Sequence, residues 1–175
     1  MMKNIVLIGM PGVGKSTVGV VLAKHVGMRF LDSDLVIQEQ TGMLLHEIIT
    51  KEGDDGFRQV ENRINASLQV KHSVIATGGS VIYGKEAMRH LKEIGTVVYL
   101  KLSCPAIAER LGDLKERGVT LRKGQTLEQL YDERVPLYER YADVIVDCEN
   151  KSIREVVAQI VARLMHENQR KVCKD

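Results

Sequence analysis

Nine residues near the amino terminus, GMPGVGKST from Gly9 to Thr17, combine glycines, a lysine and two hydroxyls within a short span. Gly9, Gly14, Lys15 and Ser16 meet the spacing G-x-x-x-x-G-K-[ST], between the apolar run NIVLI and a segment that opens like a helix. Glycines at such a turn permit a positive φ and let an anion approach the main chain, while a helix start aims unpaired N–H groups at it. Lys15 adds a point charge toward the outer phosphates of a nucleotide, and the Ser16 hydroxyl suits Mg2+, which a triphosphate brings with it. Nucleotide binding is therefore expected at this loop. The plainer reading, a glycine-rich turn capped by Ser16, leaves the full motif in its strand-to-helix setting unexplained.

A second group follows in FLDSD, Phe30 to Asp34. Residues two apart on a strand point the same way, so Asp32 and Asp34 are both expected to reach the crevice beyond the strand's carboxyl end, where open α/β sheets bind ligands. Mg2+ calls for a carboxylate nearby, and the later run SVIAT ends without one, which leaves Asp32 on the metal side with Ser16. Asp34 is then free for a phosphate acceptor. With an ordinary carboxylate pKa near 3.9 it would be a feeble base, but a loose phosphoryl-transfer transition state needs little early proton removal. Capping of the next helix by Ser33 or Asp34 is the structural alternative.

Arg58 in FRQVE and Arg134 in ERVPLY could be solvated helix residues paired with Glu61 or Glu133. Gly78 and Gly79 in ATGGS follow a strand end and would expose main-chain N–H groups in the same crevice. If the two arginines converge there, their planar forks suit an acceptor that bears a carboxylate.

These residues need a scaffold, and the chain supplies one. Short β-branched or apolar runs at NIVLI, RFLD, SVIAT, TVVYLKL and DVIVD alternate with segments long enough for crossover helices. That alternation predicts a parallel sheet covered on both faces. Ser152 with Glu155, and Thr126 with Gln129, have capping-box spacing and predict helix starts, and Pro136 is expected to kink or end the second of these helices. The charged, glycine-bearing stretch from Gly112 to Gln125 reads as a mobile loop, and Glu167 to Asp175 as a polar, frayed tail. One domain over residues 1–166 is expected, with that tail after it.

Composition excludes several alternatives. The 175 residues are 44% hydrophobic with a net charge of +2, enough apolar material for a core and no bulk basicity calling for nucleic acid or an anionic membrane. Aromatic residues are only 4%, with no Trp, against a base-stacking surface. Cys104, Cys148 and Cys173 are too scattered for a metal or disulfide framework and suit a reducing cytoplasm. The run IVLIG is too short to span a bilayer and lacks a small-residue cleavage site, so no signal peptide is expected. His46 and Glu47 begin a zinc pattern that Thr50 breaks. The chain is expected to act as a monomer.

Taken in order, GMPGVGKST, LDSD, FRQVE, ATGG, a loop arginine and ERVPLYERYAD resemble the shikimate kinase family over nearly the whole chain. The resemblance implies a P-loop, nucleoside-monophosphate-kinase-like α/β/α fold with a five-stranded parallel sheet. It further implies transfer of the ATP γ-phosphate to the 3-hydroxyl of shikimate, in aromatic amino-acid synthesis. By motif match, Gly12, Val13, Gly14, Lys15, Ser16 and Thr17 would hold ATP, Ser16 and Asp32 would serve Mg2+, Asp34 would position or deprotonate the hydroxyl, and Arg58, Gly79 and Arg134 would hold the acceptor. Arg117 in ERGVT would be the lid arginine that stabilises charge on the transferred group.

Two departures bear on specificity. Ser80 stands where the family commonly has a third glycine and brings a side chain to the acceptor pocket, and RGVT replaces the lid's RPLL, so Arg110 or Arg122 could substitute for Arg117. A kinase for a different small hydroxy acid or polyol therefore stays open. So does a non-catalytic nucleotide-binding module, although that would need no acceptor clamp.

Overall fold

The computed structural model describes residues 3–111 and 124–172, with side chains described to residue 166. Five strands, β1 (Asn4–Ile8), β2 (Arg29–Asp32), β3 (Ser73–Ala76), β4 (Gly95–Lys101) and β5 (Val144–Asp147), form one all-parallel sheet in the order β2-β3-β1-β4-β5. The strands coincide with the runs expected from the sequence. Those at the centre, β1 and β3, are buried at every position, as a sheet covered on both faces requires, whereas β5 at the edge alternates buried and exposed residues.

Helices α1 (Lys15–Val26), α2 (Ser33–Thr41), α3 (Leu45–Ala66), α4 (Lys85–Ile94), α5 (Cys104–Leu111), α6 (Leu127–Tyr141) and α7 (Ile153–Val172) complete a three-layer α/β/α domain. α1 packs on α7 and α3 on α4. Leu7, Val74, Val98, Leu22, Met88 and Ile160 are among the side chains that fill the main core. A second, smaller core of Ile37, Ile48, Phe57 and Ile64 joins α2 to α3, and a non-helical residue at Gly53 breaks α3 into two helical pieces. No helix among the described residues is long and apolar enough to cross a membrane.

The chain runs from β1 to one side of the sheet through β2 and β3, then to the other side through β4 and β5. The reversal leaves a crevice at the carboxyl end of β1, which is where the GMPGVGKST segment emerges. Thr77, just past β3, is tied to the end of β1 by its N–H and its hydroxyl, both donating to the Leu7 carbonyl, at 3.2 and 2.9 Å. That pair sets the ATGGS turn beside the first loop.

Both capping boxes form. Ser152 N–H donates to Glu155 Oε2 at 2.7 Å, and Gln129 N–H to Thr126 Oγ1 at 3.1 Å. Pro136 does not end its helix, because α6 continues to Tyr141. A mid-helix proline costs about 3 kcal/mol, and what offsets it here is anchorage on either side. Tyr138 is fully buried, stacks on Tyr99 with ring centroids 5.1 Å apart, and donates its hydroxyl to the Gly79 carbonyl at 2.6 Å. Residues 167–172 of the expected frayed tail lie instead in α7, whose main chain stays helical to Val172, and 173–175 lie outside the described residues. Of the expected mobile loop from Gly112 to Gln125, residues 112–123, with Arg117 and Arg122, lie outside the described residues.

Candidate active site

The first loop curls back on itself because Gly12 and Gly14 adopt φ of 81° and 99°, which a side chain would resist. The turn leaves the N–H groups at the start of α1 facing the crevice. Lys15 is buried there, and its ammonium donates to the carbonyls of Gly9 at 2.8 Å and Met10 at 3.0 Å. Burial brings its pKa down to about 8, opposed by the charge of Asp34 and reinforced by that of Arg134. Beside it the Ser16 hydroxyl donates to Asp32 Oδ2 at 2.6 Å, while Asp32 Oδ1 accepts the Asp34 N–H at 3.0 Å.

That last bond corrects the expected geometry. β2 ends at Asp32, which is the N-cap of α2, so Asp34 lies in the first helical turn and not two residues further along a strand. The cap is supplied by Asp32 rather than by Ser33 or Asp34. Asp34 nevertheless reaches the crevice, with Oδ1 buried and without a partner. Its pKa is raised to about 6, by burial first and by the neighbouring Asp32 second, with Lys15 opposing. The carboxylate is a better base than its type alone suggests.

Gly78 and Gly79 are held to glycine by contact. A Cβ on Gly78 would lie 2.4 Å from Glu61 Oε1 and 2.9 Å from Asp34 Oδ1, and one on Gly79 would lie 3.1 Å from Arg134 Nη1. A small cavity of about 60 Å³ joins these groups to Pro11 of the first loop, with Asp34, Glu61, Ser80 and Arg134 in its wall. Asp34, Gly78, Gly79, Ser80 and Arg134 thus share one space that reaches the first loop at Pro11, while Arg58 is not part of its lining. Arg134 is buried, while Arg58 is only partly so and stacks on the ring of Tyr83, with Cζ 4.0 Å from the centroid.

Glu61 entered the sequence reading only as a neighbour of Arg58, yet it is central. It is 1% exposed, accepts the Ser80 hydroxyl on Oε2 at 2.6 Å, and leaves Oε1 without a partner. Burial raises its pKa to about 7, with Ser80, Arg134 and Arg58 pulling the other way. The available signal was its place in α3: with Phe57 and Ile64 it falls on the buried stripe, and an acid there marks a built polar site. Tyr83 was also missed, because aromatic residues in short turns carry no spacing signature.

A larger cavity, about 260 Å³, adjoins the other side of the first loop and is lined by Val13, Gly14, Thr17, Arg110, Cys148 and Ile153, among others. Arg110 donates to the Val13 carbonyl at 3.1 Å. It therefore belongs to the wall beside the P-loop. Val13, Gly14 and Thr17 stand where a nucleotide site was expected, whereas Cys148 and Ile153 had not been connected with it.

The shikimate kinase family model matches residues 11–165 of the chain. A shikimate kinase of Thermodesulfovibrio yellowstonii is 40% identical over 163 residues, covering 91% of this chain and 94% of that protein. The solved structure of a shikimate kinase from Acinetobacter baumannii in complex with shikimate superposes with a TM-score of 0.86 at 33% identity, covering 95% of each chain. That of the Aquifex aeolicus enzyme gives 0.81 at 34% identity, over 95% of this chain and 98% of that one.

Proposed function

Because the chain belongs to the shikimate kinase family, we propose that it transfers the γ-phosphoryl group of ATP to the 3-hydroxyl of shikimate, with the division of labour that follows. The observation that carries the reading is Asp34 Oδ1, a buried carboxylate oxygen with no partner, in a wall shared by the phosphate loop and Arg134. An unsatisfied acceptor in that position suits a hydroxyl that must lose its proton.

The main-chain N–H groups of Gly12 to Thr17 bind the phosphates, and Lys15 leaves its carbonyl partners to meet the transferred group. Ser16 and Asp32 present adjacent oxygens, and the acid at hydrogen-bond distance from the hydroxyl suits a hard cation with water in its shell. Mg2+ there would neutralise charge on the phosphate oxygens. Asp34 Oδ1 orients the acceptor hydroxyl and takes its proton. Arg58 and Arg134 grip the acceptor's carboxylate, with the Gly79 N–H beside them, and Ser80 holds Glu61 toward the remaining hydroxyls. Arg117, by its match to the family's lid arginine, stabilises charge on the group in flight.

The test is a panel of acceptors with ATP and Mg2+: shikimate, other small hydroxy acids, and polyols without a carboxylate. Shikimate should give the highest kcat/KM, and the polyols should lose most of it. The Ser80–Glu61 bond supports one competing reading, in which the altered wall selects another hydroxy acid. Preference for such an acid would move the substrate assignment and leave the roles of Lys15 and Asp34 intact.

A further inference from the structure

Two guanidiniums that are to grip one carboxylate repel each other when the pocket is empty, and among the described residues neither Arg58 nor Arg134 has an acid within ion-pair distance. The buried Glu61 attracts both through space, and an aromatic side chain supplies the direct contact. The short 3-10 turn Val81–Tyr83, which follows directly on the ATGGS segment, places an aromatic ring against both. Arg58 Cζ lies 4.0 Å and Arg134 Cζ 5.4 Å from the centroid of Tyr83. The Tyr83 hydroxyl accepts Arg134 Nε–H at 3.4 Å and donates to Glu133 Oε1 at 2.5 Å. Both distances to the ring fall within the range where the negative face of an aromatic attracts a cation.

We propose that Tyr83 is a positioning residue for acceptor binding: its ring carries the Arg58 and Arg134 guanidiniums at the separation one shared carboxylate needs, and its hydroxyl, tied to Glu133, orients the Arg134 fork. The two arginines depend on it unequally. Arg134 is buried and walled in by Gly79. Arg58 is partly exposed on α3, with the ring as its described contact. Loss of the ring frees Arg58 to turn to solvent, so the effect of Tyr83 runs mainly through Arg58. Burial and the bond to Glu133 push the phenol above its ordinary pKa, which keeps the ring neutral.

This inference rests on the reading that the arginines grip the acceptor. Its test is steady-state kinetics and calorimetric shikimate binding for Tyr83→Phe and Tyr83→Leu, each made in the wild type and in an Arg58→Ala background. Tyr83→Leu should raise the shikimate KM and Kd by roughly 5- to 30-fold, with kcat within about three-fold and the KM for ATP unmoved. Tyr83→Phe, which keeps the ring and loses the hydroxyl, should do less. In the Arg58→Ala background Tyr83→Leu should add less than about two-fold, the mark of residues that act as one unit. An equal effect in both backgrounds, or an ATP KM that moves with the shikimate KM, overturns the proposal. If Tyr83→Leu fails to fold, Tyr83→Met, which also removes the ring, decides in the two backgrounds by the same criterion. A wild-type enzyme that phosphorylates no carboxylate-bearing acceptor would instead overturn the functional reading, and it is seen before any variant is made.

Discussion

The phosphate loop and the proposed acceptor pocket lie side by side on opposite building plans. The loop is main chain from one unbroken stretch, and its single buried charge, Lys15, is already satisfied by two carbonyls. The pocket is side chain from α2, α3, α6 and the segment after β3, and it holds two carboxylate oxygens, on Asp34 and Glu61, with no partner at all. An unmet buried polar group costs about 1–3 kcal/mol. The buried charge of the loop is therefore already met at rest, whereas the proposed acceptor side carries a standing demand that substrate hydroxyls can meet.

The strongest way to break this contrast is Lys15→Ala. If the loop's geometry is main chain, the fold should survive with its thermal midpoint little changed, while phosphoryl transfer falls about a thousand-fold or more. Collapse of the fold would show the lysine to be structural.

Asp34→Asn should lower kcat by about 10²- to 10⁴-fold with the ATP KM within a few-fold. It should also raise the thermal midpoint at pH 7.5 by roughly 2–4 °C. The sign follows from a folded pKa of about 6, above the ordinary carboxylate value. The fold disfavours the ionised form, so the wild type bears the penalty above that pH and the variant does not. Lost ATP binding with the chemistry retained would reverse the roles given to Asp32 and Asp34.

A pH profile sharpens the comparison further. Lys15 loses its charge as pH rises through about 8, so kcat/KM for ATP should decline on that side. Asp34 accepts a proton only when ionised, so the rate should also fall as pH drops below about 6. The lower limb should vanish in the residual activity of Asp34→Asn while the upper limb stays.

The smallest effect belongs to Ser80→Ala. It leaves a second Glu61 oxygen unmet, which should cost about 1–3 kcal/mol of stability, read as a lowered denaturation midpoint, with a few-fold rise in the acceptor KM.

The same contrast explains what could be read in advance. Every strand and the whole phosphate loop were legible, because a parallel sheet is written in local apolar runs and the loop in contiguous glycines, Lys15 and Ser16. Asp34 was found by an argument about strand alternation that the structure replaces with a helix cap. The acceptor pocket resisted because its parts converge only after folding. Glu61 meets Ser80 across nineteen positions of chain, and Tyr83 meets Glu133 across fifty. Of the two outcomes expected for Pro136, an end to the helix does not occur, because the burial of Tyr138 two residues later outweighs the local preference for a stop.

Asp32 has one oxygen on Ser16 and the other on the N–H of Asp34. A cation that drew on the first would tug the start of α2 through the second, so occupancy of the nucleotide side would be felt at Asp34, the group proposed to receive the hydroxyl proton. Thermodynamic reciprocity then demands that whatever factor ATP imposes on the affinity for the alcohol, the alcohol imposes on the affinity for ATP.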